Sequence, residues 1–329
     1  MSYQNDQLIL PTYLAPALLI DLAEMYGVNP NRILKGTPVF IEGLISVNQC
    51  VSVEQLIQMI RNLHESIVHP EVQFLFGQRY IETLTHPALN AIAYSQNIKE
   101  AIQRYVEFHI YLSPWLTPVA YYSDHKIILF WLNSQERHAT SLVISAMTAV
   151  RTILLNSTQE ELKMNYHFVG AEPEFIEQFW EHLGENIQFN SLVNAIQIDI
   201  QECTQKQNYQ TSAMRQAYYH QAKVLQQQSG LEQSFLQEVH HFLIRNIHQA
   251  PNLEECAEYF QISIASFKRR LNKHNTSYQQ MLDQARLFTS IQLKTLFAYN
   301  DEQVADYLNI NDIHNFRRAF KRWSNVVVS

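Results

Sequence analysis

Two runs of cationic side chains stand out in the last third of this 329-residue chain. Lysine and arginine in such runs can neutralise phosphate groups and donate hydrogen bonds to the edges of nucleic-acid bases. The same pattern also occurs on helix faces that are simply solvated, so the charge runs alone leave both interpretations open. The first run is Lys268, Arg269, Arg270 and Lys273, and the second is Arg317, Arg318, Lys321 and Arg322.

Charge is distributed unevenly along the chain. The formal net charge is −7, which by itself disfavours binding to a polyanion. Residues 231–329, however, hold 11 basic and 10 acidic residues, whereas residues 1–230 hold 13 basic and 21 acidic residues. The hydrophobic share of 47% and the charged share of 17% predict a folded chain, and the length suggests two domains.

Sequence motifs of enzymes and metal sites are lacking. The chain has no GxSxG, no P-loop and no glycine-rich dinucleotide motif, and it contains only 7 glycines. His64, Glu65 and His69 resemble a zinc motif with one residue too many, which places the two histidines about 140° apart on a helix. Adjacent His240 and His241 are interpreted as a surface pair. We therefore predict a protein that is not an enzyme and has no metal and no cofactor.

The cysteines and the apolar stretches indicate a cellular location. Cys50, Cys203 and Cys256 form no CxxC pair, and so sparse a set is typical of the reducing cytoplasm. The N-terminus lacks the basic segment of a secretory signal, and polar or charged residues interrupt the apolar stretches. We expect a cytoplasmic protein with no membrane partner.

Residues 1–200 carry both helical and strand patterns, which predicts an α+β domain. The 17 tyrosines and 17 phenylalanines of the chain could line a ligand cavity, but packing is the simpler interpretation, so the effector-binding residues are unknown. Residues 201–230 are polar and predict a linker to about residue 208 and then a polar helix. Helix starts are expected at Pro16, Asn29-Pro30, Ser52 with Gln55, Ser95, about residue 137 and Pro173, and strands at 118–122, 126–132, 164–169 and 194–200.

A weak internal repeat lies within residues 231–329, a region predicted to be all-α. In each copy an alanine is followed by an isoleucine five residues later, then a polar N-cap residue, an aromatic residue and another apolar residue. This pattern suits a helix-turn-helix unit, in which a small residue lets two short helices approach closely. The two units span about 253–273 and 302–323, and their marker residues are Ala257, Ile262, Ser263, Phe267 and Leu271, then Ala305, Ile310, Asp312, Phe316 and Phe320.

Burial of the repeat's aromatic residues would leave the other side chains of each second helix facing outward, where they could reach base edges in a major groove. A long helix extending to about residue 297 would hold the two units at a fixed separation. The base-facing candidates are Ala265, Ser266, Lys268, Arg269, Ile313, His314, Arg317 and Arg318. The phosphate-facing candidates are Lys273, Lys321 and Arg322.

Residues 231–329 resemble the DNA-binding domain of the AraC/XylS family of bacterial regulators. The similarity runs through 253–257, 263–271, 278–286 and 316–323, and the last block is closest to the family signature. More loosely, residues 11–200 resemble the arabinose-binding-type N-terminal domain of one subgroup, although that label does not imply that arabinose binds here. The resemblance implies a transcription regulator, usually an activator, controlled by a small-molecule effector. Its implied partners are double-stranded DNA, RNA polymerase and a second copy of the chain.

Three departures from the family pattern bear on these expectations. Asn309 and Asn275 stand where the family usually has glycine, and asparagine tolerates the left-handed backbone that such positions require. The sequence also ends six residues after Trp323, where the family continues. This early end motivates a rival hypothesis, in which the chain binds an effector or a protein partner and its DNA-binding domain is impaired.

Overall fold

Local capping signals decide where the first helices begin. The structure is a computed structural model that describes residues 2–44, 49–134, 139–158, 162–199 and 212–325. The side chain of Asn29 accepts a hydrogen bond from the next helix, and Ser52 forms the predicted capping box with Gln55. The helices before residue 200 are α1 (Ala15–Met25), α2 (Pro30–Leu34), α3 (Ile41–Leu44), α4 (Val53–Ser66), α5 (Val72–Thr83), α6 (Pro87–Ala93), α7 (Ile98–Leu112), α8 (Thr140–Thr158) and α9 (Ile176–Leu183).

Two of the predicted helix starts are wrong. Asn97, not Ser95, caps α7, because its side chain accepts a hydrogen bond from the amide of Glu100 at 2.9 Å. Ser95 is buried and its hydroxyl donates to the carbonyl of Ala91 instead. Pro173 precedes α9 rather than lying in its first turn. The predicted linker at 201–208, Cys203 and the predicted helix start at 137 lie outside the described residues.

The four predicted strands join a two-residue strand that was not predicted, and together they form one five-stranded sheet. The strands are β1 (Leu10–Pro11), β2 (Cys50–Val51), β3 (Thr117–Tyr122), β4 (Lys126–Leu132), β5 (Met164–His167), β6 (Ile187–Gln188) and β7 (Ala195–Asp199). The larger sheet has the order β3-β4-β7-β5-β6, with β5 and β6 parallel and the other pairs antiparallel, while β1 and β2 form a separate pair. The predicted hairpin of β3 and β4 is confirmed.

Strand β4 is buried on both faces, which explains its nearly continuous apolar sequence. Leu129 and Trp131 lie in one hydrophobic cluster with the helices α1 to α8. Ile128 and Phe130 point the other way and lie in a second cluster with the helices that follow residue 230. The sheet is therefore the middle layer between two sets of helices.

The long helix α8 is the centre of the first cluster. Within the described residues, its window 140–157 is long and apolar enough to cross a membrane by length and composition. Most of this window is buried inside the protein, and α8 packs closely against α5. Such burial is typical of a core helix.

The polar residues after 211 form α10 (Ser212–Ser229), which packs on α6 and α7. Lys223 lies 2.9 Å from Glu107 of α7, and the buried Gln226 donates to the carbonyl of the same glutamate. The remaining helices are α11 (Phe235–Arg245), α12 (Leu253–Tyr259), α13 (Ile264–Asn272), α14 (Tyr278–Phe297), α15 (Asp301–Tyr307) and α16 (Ile313–Asn325), with one 3-10 turn at Ile247–Gln249. The domain boundaries at 200 and 230 stay a prediction.

Substitution of Gly77 by alanine should destabilise the protein. A Cβ at this position of α5 would collide with the backbone carbonyl of Ser145 in α8, and neither helix can move without disturbing the core. We expect Gly77→Ala to lower the free energy of unfolding by about 1–3 kcal/mol, measured by urea denaturation. Gly170→Ala is the matched control, since a Cβ there meets no atom within 4 Å. Equal stability of the two variants would contradict the close packing of α5 on α8.

Candidate nucleic-acid interface

Two helix pairs, α12 with α13 and α15 with α16, share one turn geometry. In the first pair the amide of Ile262 donates to the carbonyl of Ala257 at 3.1 Å. In the second pair the amide of Ile310 donates to the carbonyl of Ala305 at 2.9 Å. Both alanines are buried. The sequence repeat therefore corresponds to a repeated backbone structure.

The turn of each pair contains one residue in the left-handed conformation. Asn309 has φ 55° and Gln261, at the equivalent position of the first pair, has φ 53°. Asn275, in the loop after α13, has φ 53°. The left-handed conformation predicted for the two asparagines is confirmed. Gln261 was not predicted, because glutamine has no intrinsic preference for this region.

Polar side chains cap the helices of both pairs. The hydroxyl of Ser263 accepts from the amide of Ser266 at 3.2 Å, and Asp312 accepts from the amide of His314 at 2.9 Å. Asn252 forms the predicted capping box at the start of α12. A second box, formed by Asn300 with Gln303, begins α15. This box was missed, although its N-x-x-Q spacing is visible in the sequence.

The apolar residues of the repeat lie inward, as their spacing predicts. Phe267 and Leu271 of α13 are fully buried, and Phe316 of α16 is 1% exposed. Phe320 is only partly buried, and the ammonium of Lys294 lies 4.9 Å from the centre of its ring. Burial of these residues fixes which faces of α13 and α16 meet solvent.

The outward faces of α13 and α16 carry most of the predicted contact residues. Ser266 and Ile313 are partly buried, and Arg270 turns back so that its guanidinium lies 5.8 Å from the ring of Phe235. The exposed members of the predicted set are Ala265, Lys268, Arg269, Lys273, His314, Arg317, Arg318, Lys321 and Arg322. The two helices therefore present a mainly basic surface to solvent.

Two carboxylates partly neutralise this basic surface. Asp301 accepts from Lys294 at 2.5 Å and from Arg317 at 2.7 Å, and these hydrogen bonds hold the pKa of its carboxyl below the usual range. Asp6, from the other end of the chain, lies 2.7 Å from the ammonium of Lys273. One predicted phosphate contact thus already has an anionic partner within the protein.

The C-terminal helices dock on the sheet through α11 and α14. The rings of Phe130 in β4 and Phe288 in α14 stack with their centres 4.5 Å apart. The hydroxyl of Tyr121 lies 2.9 Å from the Nε2 atom of His240 in α11. His240 is buried, so the predicted surface pair is wrong for this member. The other member, His241, is exposed.

The described part of the chain holds no group of three or more histidine, cysteine, aspartate or glutamate residues suited to a metal. Neither His64 with His69 nor His240 with His241 therefore belongs to such a group. His64 lies in α4, and burial lowers its pKa to about 4. Burial likewise lowers the pKa of His240 to about 3. Both imidazoles are therefore neutral at physiological pH.

A sheet-containing portion is followed by two helix pairs whose second helices, α13 and α16, are basic. Known proteins are similar to this chain. No family model matches the sequence. The chain is 23% identical over 327 residues to a protein of Pseudomonas aeruginosa named ornithine utilization regulator, and the alignment covers 98% of this chain and 95% of the relative. It is 30% identical over 76 residues, 23% of each chain, to the HTH-type transcriptional regulator VqsM of the same species. The crystal structure of the transcriptional regulator CdpR, also from P. aeruginosa, aligns over 94% of both chains with a TM-score of 0.45 and 16% identity.

Truncation of Phe267 tests the inward orientation on which the basic surface depends. We expect Phe267→Ala to lower the free energy of unfolding by about 3–5 kcal/mol, because the ring is fully buried against Phe235 and Phe260. Ile264→Ala, an exposed position of the same helix, should cost less than about 1 kcal/mol. Urea denaturation of the full chain measures both values. Similar losses in the two variants would mean that α13 is oriented differently.

Proposed function

We propose that this chain is a DNA-binding transcription regulator of the AraC/XylS type, and that its two helix pairs are helix-turn-helix units. The observation that carries the proposal is the repeated turn, with Phe267 and Phe316 buried beneath exposed basic side chains. The relative that aligns with 98% of this chain and is named as a regulator supports the same function. In this proposal α13 and α16 are the recognition helices.

The long helix between the units suits two contacts on one face of DNA. α14 has 20 residues, so it is about 30 Å long, close to the spacing of about 34 Å between successive major grooves. Arg269 and Arg318 occupy equivalent positions of the repeat, and guanidinium groups pair with guanine through two hydrogen bonds. Lys321 and Arg322, near the end of α16, are suited to phosphates.

We further propose that the sheet-containing portion controls DNA binding in response to a small-molecule effector. An effector can shift the protein between two states only by binding one of them more tightly. Contacts of Phe130 with Phe288 and of Tyr121 with His240 provide a route between the two portions. The proposal also includes activation of transcription, contact with RNA polymerase, pairing of two copies of the chain and a cytoplasmic location. The name of the ornithine utilization relative supports a role in metabolism.

The rival hypothesis of an impaired DNA-binding domain has less support. Trp323, near the end of α16, is 3% exposed and lies against Phe316 with ring centres 6.3 Å apart. The guanidinium of Arg286 lies 5.9 Å from the same indole. The contact with Arg286 joins the end of α16 to α14, which favours a well-supported second helix pair.

Substitution of the two equivalent arginines should weaken binding to DNA. DNA selected by the protein from a random pool is the probe, and affinity is measured by gel shift at several salt concentrations. We expect Arg269→Ala and Arg318→Ala each to cost about 1–3 kcal/mol of binding free energy and to relax sequence preference at one position. Arg32→Ala, an exposed arginine of α2, should have no effect. Failure to select any sequence, or equal loss in all three variants, would overturn the proposed function.

Removal of the Asp6 carboxylate should strengthen DNA binding. Asp6 pairs with Lys273, so the lysine must leave this partner before it contacts a phosphate. In Asp6→Asn we expect an affinity gain of about 2- to 5-fold, within the modest value of an exposed ion pair. Asp21→Asn, an exposed acid of α1, controls for the change in net charge. An equal gain in both variants would show that only overall charge matters.

A further inference from the structure

A mainly apolar cavity of about 260 Å³ lies where the first residues of the chain meet the segment that leads to the C-terminal helices. Strand β1 and the start of α1 line it, and α5 and α7 contribute Tyr80 and Tyr111. Ser229, the last residue of α10, and Leu231, which precedes α11, also belong to the lining. A molecule in this cavity would therefore contact the connection to the proposed DNA-binding helices.

Hydrogen bonds and ring contacts hold the aromatic walls of the cavity in place. The hydroxyl of Tyr80 donates to the carbonyl of Tyr111 at 3.0 Å, and its ring lies edge-on to that of Trp115 with centres 5.4 Å apart. The hydroxyl of Ser229 donates to the carbonyl of Gln226 at 2.9 Å, so in its contact with Tyr111, at 2.6 Å, the tyrosine is the donor. A ligand need not order these walls when it binds, which favours affinity.

One lining residue, His86, offers a hydrogen bond that the protein does not use. Its Nδ1 atom accepts from the amide of Ala88 at 3.1 Å, and burial lowers the pKa of the ring to about 4, so the neutral ring carries its hydrogen on Nε2. No described residue accepts a hydrogen bond from Nε2, which stays accessible, unlike the buried unpartnered nitrogens of His64 and His240. The ring stacks on that of Tyr111 with centres 4.1 Å apart, which fixes the direction of this donor.

The lining defines a neutral ligand. None of the described residues that line the cavity is a lysine, arginine, aspartate or glutamate, and most of them are apolar. A charge that leaves water without a partner costs far more than one hydrogen bond restores, so carboxylate and ammonium groups are disfavoured here. A carbonyl or hydroxyl oxygen, in contrast, can accept the free hydrogen of His86.

Cavity size limits the ligand further. A cavity of about 150 Å³ holds a molecule with the six carbon atoms of benzene, so by proportion this larger cavity suits about ten non-hydrogen atoms. Small ketones and alcohols with one aromatic ring or a medium-length carbon chain have this size.

We propose that this cavity binds a neutral, mainly apolar molecule of this size, whose single carbonyl or hydroxyl oxygen accepts a hydrogen bond from His86. The inference rests on the proposed function, in which this molecule acts as the effector.

Binding at this site would reach the proposed DNA-binding helices through the backbone. Ile9 and Leu231 line the cavity, and the two segments that hold them pair with each other close by. The amide of Tyr3 donates to the carbonyl of Gln233 at 3.1 Å, and the amide of Phe235 donates to the carbonyl of Tyr3 at the same distance. Phe235 is the first residue of α11, which docks on the sheet. A ligand that bridges the two segments would therefore favour the docked state.

Titration calorimetry of the full chain tests the site with three aromatic probes of equal size. Acetophenone is neutral and has one acceptor oxygen, cumene replaces its carbonyl by an apolar group, and benzoate carries a charge. We expect acetophenone to bind in a saturable way and about fivefold more tightly than cumene, which is the value of one hydrogen bond. Benzoate should bind at least about tenfold more weakly than acetophenone, because its charge finds no partner.

Two variants separate the hydrogen bond from the cavity itself. Asparagine at position 86 can still cap α6, but its shorter side chain does not reach the ligand, so His86→Asn should remove the preference for acetophenone over cumene. Leu14→Trp should weaken both neutral probes at least about tenfold, since the larger side chain occupies the cavity. The controls are His125→Asn and Leu8→Trp, both at exposed positions outside the lining, and they should bind like the native chain.

Any of four results would overturn the site: no saturable binding of acetophenone, benzoate binding as tight as that of acetophenone, an unchanged preference over cumene in His86→Asn, or native affinity in Leu14→Trp. Gel shifts without added ligand separate this inference from the proposed function. Selection of DNA by a chain that does not bind acetophenone removes the site alone. Binding that depends on His86, in a chain that selects no DNA, removes the proposed function and leaves the site in place.

Discussion

The structure depends on a sheet whose strand β4 has no solvent-facing side. The residues of β4 from Ile127 to Leu132 are buried, one set against α1 to α8 and the alternate set against α11 and α14. Separation of the two portions would expose Phe130 and Phe288, whose stacking contributes about 0.5–1.5 kcal/mol beyond the burial of their area. The hydrophobic effect therefore couples the basic helices to the rest of the chain.

The electrostatic interactions of the basic surface are local, whereas the apolar contact joins the two portions of the chain. The basic face of α13 and α16 belongs to a chain whose overall charge is −7, so its field depends on the local arrangement of partners. Asp301 binds Lys294 and Arg317 together, and it thereby fixes the guanidinium that begins the second basic run. The carboxylate of Asp301 reduces the local positive charge, but it also orients the guanidinium of Arg317, which remains exposed.

Much of the local structure could be predicted from the sequence, because caps and periodicity act between near neighbours. Ser263 and Asn252 cap helices as their spacing predicts, and the spacing of Phe267 from Leu271 placed the outward face of α13 correctly. Contacts between distant residues left no such signal. The partner of His240 is Tyr121, which lies 119 residues earlier, so the histidine pattern alone suggested a surface position.

The edges of the five-stranded sheet restrict how the protein can associate with itself. One edge is β3, which carries a proline at its second position, and the other is β6, which has only two residues. Proline lacks the amide hydrogen that an added strand would need, and so short a strand offers little to pair with. Both edges of the five-stranded sheet are therefore poor templates for the addition of a strand from a second copy.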